Sequence, residues 1–168
     1  MRSRKRYVRK GLMKKLSDEI IRFFRAQGCV IVSTVDSQGR PHSACKGIVK
    51  INQNGKIYLL DLYKARSYRN LKHNQRISIT ALDEHRFKGY CLKGKARIIA
   101  TNKLPATVSE AWEAKINSRI TQRVLKNLHE EKGHSRHPEA FLPQPQYLIA
   151  METEEIVDLT PHYLRGGE

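Results

Sequence analysis

The sequence predicts a mainly β fold in which six antiparallel strands close, or nearly close, into a barrel with helices packed on it. Three observations carry that expectation. Short β-branched and apolar runs follow one another from Cys29 to Ala100, separated by turn residues such as Ser37-Gln38-Gly39-Arg40 and Asn54-Gly55. Two amphipathic stretches, residues 12–27 and 105–128, place apolar side chains every three or four positions. A final alternating run, residues 147–159, supplies the closing strand.

Each element has its own local reason. Leu12, Leu16, Ile20, Ile21 and Phe24 make one helical stripe. Ser17, Asp18 and Glu19 put a capping hydroxyl and two carboxylates at the positive helix end, and Gly28 is a suitable stop, so a helix is predicted over about 17–27. Cys29 to Val35 reads as the first strand, with Cys29, Val30, Ile31 and Val32 as core. Pro41 to Ile51 reads as the second and Lys56 to Leu62 as the third. The Asn54-Gly55 pair between them predicts a type I′ turn, in which both central residues need φ > 0. A short helix, Ala65 to His73, precedes strands over Arg76 to Leu82 and Arg86 to Ala100, and Gly89 and Gly94 in the latter predict bulges or sharp coiling. Pro105 suits the first turn of a long helix whose stripe is Val108, Trp112, Ile116, Ile120, Val124 and Leu128. Trp112 is the expected anchor of that helix to the barrel or to a partner subunit. Pro138, Pro143 and Pro145 mark a loop before the last strand. The expected organisation is a basic arm over residues 1–16, one domain over 17–160 and a tail over 161–168.

Charge is the strongest compositional signal. The 168 residues hold 32 Lys and Arg against 16 Asp and Glu, a formal charge of +16 and a pI of about 10.0. At 39% hydrophobic and 29% charged the composition is that of a folded globular chain, and no apolar run is long enough for a membrane helix. Eight basic residues precede position 16 with no apolar stretch behind them, which does not match a secretory signal and makes the cytoplasm the expected location. Cys29, Cys45 and Cys91, an odd number without a short-spaced pair, point to reduced thiols. His129, His134 and His137 cluster in or beside the proline-rich loop without the cysteines or paired carboxylates of a metal site, so no metal is expected. The basic N-terminal cluster reads as a solvated arm. The central excess is threaded through the strands, and it attracts anions.

Chemistry concentrates where the third strand gives way to the short helix. Lys64, Arg66 and Ser67 sit at that helix start, where backbone N–H groups, a guanidinium and a hydroxyl make a phosphate-sized anion site. On charge alone the segment fits a solvated basic loop equally well. Lys46 and Lys50, four apart on the second strand, are expected to share one face of the pleat. Neither the G-x-G-x-x-G nor the G-x-x-x-x-G-K-[ST] phosphate loop occurs.

The order of Gly39-Arg40-Pro41-His42, Asn54-Gly55-Lys56, Lys64-x-Arg66-Ser67 and Asn70-Leu71-Lys72-x-Asn74, with strands between, resembles the FMN-binding split-barrel family related to pyridoxamine 5′-phosphate oxidase. The resemblance covers about residues 17–100 and, more loosely, 147–158. It implies a six-stranded antiparallel split β-barrel with flanking helices that forms a homodimer with FMN at the subunit interface. The implied ring contacts are Ser43, Ala44, Cys45 and Lys46 on one strand and Leu60, Asp61 and Leu62 on the next. The implied phosphate site is Lys64, Ala65, Arg66 and Ser67, with Lys50 at the position of a strand lysine. Lys88, on the strand running to Cys91, would reach the flavin from the other subunit. Lys46 would steady negative charge on the reduced ring. A strand cysteine such as Cys45 otherwise reads as simply packed.

Departures from the family pattern limit what is carried over. Asp61 stands where the family usually has threonine or serine, and a carboxylate beside a phosphate is unfavourable unless it points away or bonds the ring imide. Gly89 lies near a position where the oxidases often carry glutamine. The ending Asp158-Leu159-Thr160-Pro161-His162-Tyr163-Leu164-Arg165 lacks the tryptophan and the R-L-x-P-like close of true pyridoxamine phosphate oxidases. The implied function is therefore a flavin-dependent oxidoreductase acting between small-molecule electron donors and acceptors, without the vitamin-oxidase activity. A relative of the family that degrades haem through a C-terminal histidine makes His162 or His137 a haem-ligand candidate, and a deazaflavin is a further variant. The competing class is a nucleic-acid-binding basic barrel, favoured by the arm and the pI. Against it stand an aromatic content of 7% and the lack of an RRM-type K/R-G-F/Y-G/A-F-V segment.

Overall fold

Serine 17 starts the first helix by accepting a hydrogen bond from the Ile20 N–H at 3.3 Å, and Asp18 and Glu19 follow at the positive helix end. This helix, α1, spans Asp18–Ala26 in the computed structural model, which describes residues 13–61, 64–128 and 147–165. It ends on Gln27 in extended backbone, without a left-handed glycine at Gly28. Six strands and two further helices follow in the predicted order: β1 (Val30–Val35), β2 (Pro41–Ile51), β3 (Lys56–Leu60), α2 (Arg66–His73), β4 (Arg76–Asp83), β5 (Lys88–Ala100), α3 (Ala106–Leu128) and β6 (Tyr147–Asp158). The strands close into an antiparallel barrel in the order β1-β2-β3-β6-β5-β4. Among the described residues no helix is long and apolar enough to cross a membrane.

The barrel is filled by one side-chain face of every strand, including Val30, Val32, Ile48, Ile57, Leu59, Ile77, Ile79, Leu92, Ile149 and Met151. Leu16, Ile20, Ile21 and Phe24 of the first helical segment join the same core. A second cluster lies outside the wall, where Val108 of α3 covers Val49, Tyr58, Leu60, Leu148 and Ala150 and Trp112 packs beside it. Trp112 thus anchors α3 to its own barrel.

A bulge explains how one strand serves both clusters. The register of β2 on β3 shifts between Ile48 and Lys50, so two residues of β2 oppose one step of β3. Ile48 and Ile51 face the barrel, whereas Val49 joins the α3 cluster and Lys50 stands opposite Tyr58 of that cluster. Lys46 stands opposite Val30 of the core and points inward. Lys46 and Lys50 are therefore on opposite faces, contrary to simple alternation, because the extra residue breaks the period of two.

Three local expectations are corrected by backbone detail. At Asn54-Gly55 only Gly55 is left-handed, with φ +84. Its N–H donates to Asn52 O and the Asn52 N–H donates to Lys56 O, so the loop is three residues closed by a glycine, not a two-residue type I′ turn. Asn54 instead uses its side chain, accepting from the Lys56 N–H at 3.1 Å. The β1–β2 loop repeats the pattern, with Gly39 at φ +80 donating to Asp36 O. The predicted bulge occurs at Gly94, where the β5–β6 register shifts, but Gly89 pairs regularly with Leu82. Finally, Cys29 and Ile31 are exposed, Ile31 by 45%, because β1 has one face in the barrel and the other on an outer wall.

Candidate anion and cofactor site

The candidate site grows from the junction of two elements that are distant in sequence. Helix α2 follows Ala65, an extended cap residue that offers no side chain to the first-turn N–H groups. No acid occupies its first turn. Arg66, Arg69 and Asn70, at helical spacings of three and four, line a cavity of about 480 Å3 together with Asp36, Arg40, Pro41 and His42 of the β1–β2 hairpin. Asn70 is fixed by donating to the buried Thr34 hydroxyl at 3.0 Å, which ties α2 to β1. Arg40 is held by its own turn through an Asp36 contact of 2.9 Å. Among the described residues no carboxylate pairs with Arg66 or Arg69. Three guanidiniums, a histidine and one already committed carboxylate leave the cavity selective for anions.

Asp36 also organises the turn that presents Arg40 and His42. Its Oδ1 accepts from the N–H groups of Gln38 and Arg40, both at 2.9 Å. The Arg40 backbone bond above all, with the Arg40 side chain and the Gln38 backbone, holds the carboxyl below its usual 3.8 against the opposing effect of desolvation. For a depressed carboxyl the stabilisation is complete above the unfolded value and is lost as pH falls through the folded one. The hairpin is expected to loosen only below pH 3.8, read as an Asp36 carboxyl titration by NMR below that value with the Gln38 and Arg40 amides moving in step. A midpoint at or above 3.8 would contradict the assigned bonds.

A second polar group lies inside the barrel. Lys46 Nζ meets Asp61 Oδ1 at 2.8 Å, with side chains only 7% and 5% exposed. Burial, then the hydrogen bond to Asp61 and its charge, push the Tyr147 phenol well above its ordinary 10. Tyr68 of α2 packs edge-on against Tyr147, ring centroids 4.8 Å apart. The Asp61 carboxylate is thus engaged by a lysine in the interior.

The residues expected from the sequence divide among several places. Arg66 lines the cationic cavity, and Ser67 is buried in the first turn of the same helix. Lys64 and Ala65 are exposed just before it. Lys46 and Asp61 form the interior pair, and Ala44, half-buried, points the same way opposite Val32. Ser43 and Cys45 stand on the outer wall, Ser43 bonded to Ser33 at 2.9 Å. Leu60 is buried beneath α3, and Lys50 donates to Thr107 O at the start of that helix, 3.2 Å away. Lys88 pairs with Glu19 of α1 and lies 5.9 Å from the Tyr90 ring centre. Leu62 lies outside the described residues, as do His129, His134 and His137. The single chain therefore brings Arg66 into a cationic cavity and leaves the other expected site residues on separate faces. Arg40, His42, Arg69 and Asn70 were missed as site residues. The helical spacing of Arg66, Arg69 and Asn70 was readable, but their meeting with the hairpin was not.

The family model described as pyridoxamine 5′-phosphate oxidase matches residues 16–143. No curated protein sequence matches significantly. Solved structures of similar fold include HupZ of Group A Streptococcus, 19% identical with a TM-score of 0.62 over 86% of this chain and 94% of that one. A putative pyridoxamine 5′-phosphate oxidase of Lactobacillus delbrueckii is 17% identical, with a TM-score of 0.56 over 85% and 93%. HutZ of Vibrio cholerae, described as a heme storage protein, is 20% identical, with a TM-score of 0.50 over 85% and 94%. At these identities the structural likeness concerns the fold.

Proposed function

The chain belongs to the pyridoxamine 5′-phosphate oxidase family, and from that membership we propose that it binds FMN and acts as a flavin-dependent oxidoreductase, with the flavin phosphate in the cavity between the β1–β2 hairpin and α2. The observation that carries this reading is the convergence of Arg40, His42, Arg66 and Arg69 on one cavity. A dianionic phosphate matches that donor set, so the residues present fit the phosphate end of the group. Arg66 and Arg69 would supply its charge-assisted bonds, and Arg40 and His42 would close the opposite wall. Bound FMN supplies hydride or electron transfer at its ring. The Ser43–Cys45 edge is open to receive the ring, and a second copy of the chain would complete the contacts, which makes a homodimer part of the reading. The pair Lys46–Asp61 keeps the strand ends under that edge in place.

Titration of FMN into the purified protein, followed by quenching of flavin fluorescence, tests the reading. FMN is expected to bind and riboflavin, which lacks the phosphate, to bind far more weakly. Arg66→Ala and Arg69→Ala are each expected to weaken FMN by about tenfold or more, the worth of one charge-assisted hydrogen bond. Equal binding of FMN and riboflavin, or no response to either variant, counts against the cavity. A second reading, haem in place of flavin, draws on the likeness to HutZ and on the exposed His162 in the short turn His162–Leu164. It predicts that added haemin gives a Soret band lost in His162→Ala, while FMN leaves the protein colourless after gel filtration.

A further inference from the structure

Two of the three cysteines meet on the outer wall of the barrel. Cys29 sits where α1 turns into β1, and Cys45 lies opposite Ile31, two residues along. Both are exposed, and their sulfurs are 3.3 Å apart. A disulfide needs about 2.05 Å and a favourable dihedral, so closure asks for a sulfur displacement of about 1.3 Å, which side-chain rotation at two exposed positions can supply. The next rung holds Ser33 and Ser43, and this outer face is open in the chain without flavin, whose ring the proposed function seats at Ser43–Cys45. Cys91, on β5, is half-buried and stands opposite Thr80 and Val157.

We propose that Cys29 and Cys45 form a reversible dithiol–disulfide site that reacts with hydroperoxides. The Cys29 thiolate attacks one peroxide oxygen, the O–O bond breaks, and the departing oxygen leaves as water or an alcohol after taking a proton. Cys29 is then a sulfenic acid. The Cys45 sulfur attacks the Cys29 sulfur, the S–O bond breaks, and the hydroxyl leaves as water with the proton given up by Cys45. Two thiols are oxidised by two electrons and one peroxide is reduced. A thiol reductant restores the pair by exchange.

The division of roles follows from the contact itself. The hydrogen bond with Cys29, and then burial, push the Cys45 thiol up, so Cys45 keeps its proton and shares it with the neighbouring sulfur. That leaves Cys29 as the attacking group. The oxidised pair would pin the α1–β1 turn to β2, joining residues 16 apart in sequence.

The test uses the fully reduced chain exposed to hydrogen peroxide, blocked with an alkylating agent and digested with trypsin. Because Arg40 precedes Pro41 and resists cleavage, both cysteines fall in one peptide, residues 26–46, and Cys91 falls in another, residues 89–93. The expected result is a 26–46 peptide lacking two hydrogens and carrying no alkyl group, an alkylated Cys91, unchanged monomer mobility on a non-reducing gel, and full recovery with dithiothreitol. In Cys45→Ser the intermediate should persist, and dimedone should label Cys29. Three alkylated thiols after peroxide, a disulfide between chains, or a dimedone label confined to Cys91 would each overturn the proposal.

Discussion

Asp61→Ala is expected to lower unfolding stability by about 3–5 kcal/mol, the usual cost of leaving one member of a buried ion pair without its partner. The Lys46 side chain is 7% exposed and sits on the inner face of β2, so no rearrangement at the surface can rehydrate it cheaply. Lys46→Ala should cost a similar amount for the mirror reason. The double variant Lys46→Met, Asp61→Leu should recover part of the loss, because the two apolar groups need no ion-pair partner, while the buried Tyr147 phenol still loses its bond to Asp61. Urea unfolding of the four proteins decides it. Single variants within 1 kcal/mol of the parent would mean that water reaches the pair and that the interior placement is wrong. The same geometry resolves why a carboxylate stands where the family usually carries a hydroxyl. Asp61 points to Lys46 and Tyr147 inside the wall, so its charge is spent before it can repel an anion at the α2 cavity.

Element identity was legible because it is local. β-branched runs, a capping serine, two glycine-closed turns and helical stripes each act over a few residues, and every predicted strand and helix has its counterpart in the barrel. Side-chain facing was less legible, since it accumulates errors along a strand. The bulge between Ile48 and Lys50 adds one residue to β2, and that single step sends Lys50 to α3 while Lys46 stays in the core. Cys29 and Ile31 failed as core for a related reason. An apolar run reads as buried on both faces, yet β1 turns only one face into the barrel, and the other carries the exposed Ile31. The cationic cavity was half legible. Arg66 was picked out from its place at a helix start, whereas Arg40 and His42 reach it only because closure of the barrel brings the β1–β2 hairpin against α2.

Gly55→Ala should be the most damaging of the single-methyl changes in the turns, because it meets two penalties at once. The residue has φ +84, where an L side chain costs roughly 1–2 kcal/mol. An added Cβ would also stand 2.2 Å from Lys14 O, a backbone atom that cannot swing aside. That strand-like approach is fixed at both ends: the Lys14 N–H donates to Thr153 O and the Leu16 N–H to Gln53 O, each at 2.8 Å. Thr153 in turn donates its N–H and its hydroxyl to Gly55 O, at 3.0 and 2.8 Å. Relieving the clash therefore means loosening the segment that leads into α1, and overpacking of this kind adds about 1–3 kcal/mol. Gly39→Ala provides the control. Its φ of +80 is nearly the same, but nothing lies within 4 Å of the added carbon, so it should lose only the backbone contribution. The difference between the two urea midpoints isolates the contact with Lys14, and hydrogen exchange at Leu16 should quicken in the first variant alone. Equal losses from both substitutions would show that the 13–16 segment does not press on the turn, and α1 would then owe its position to Ile20, Ile21 and Phe24 and to its polar ties through Asp18, Glu19 and Arg25.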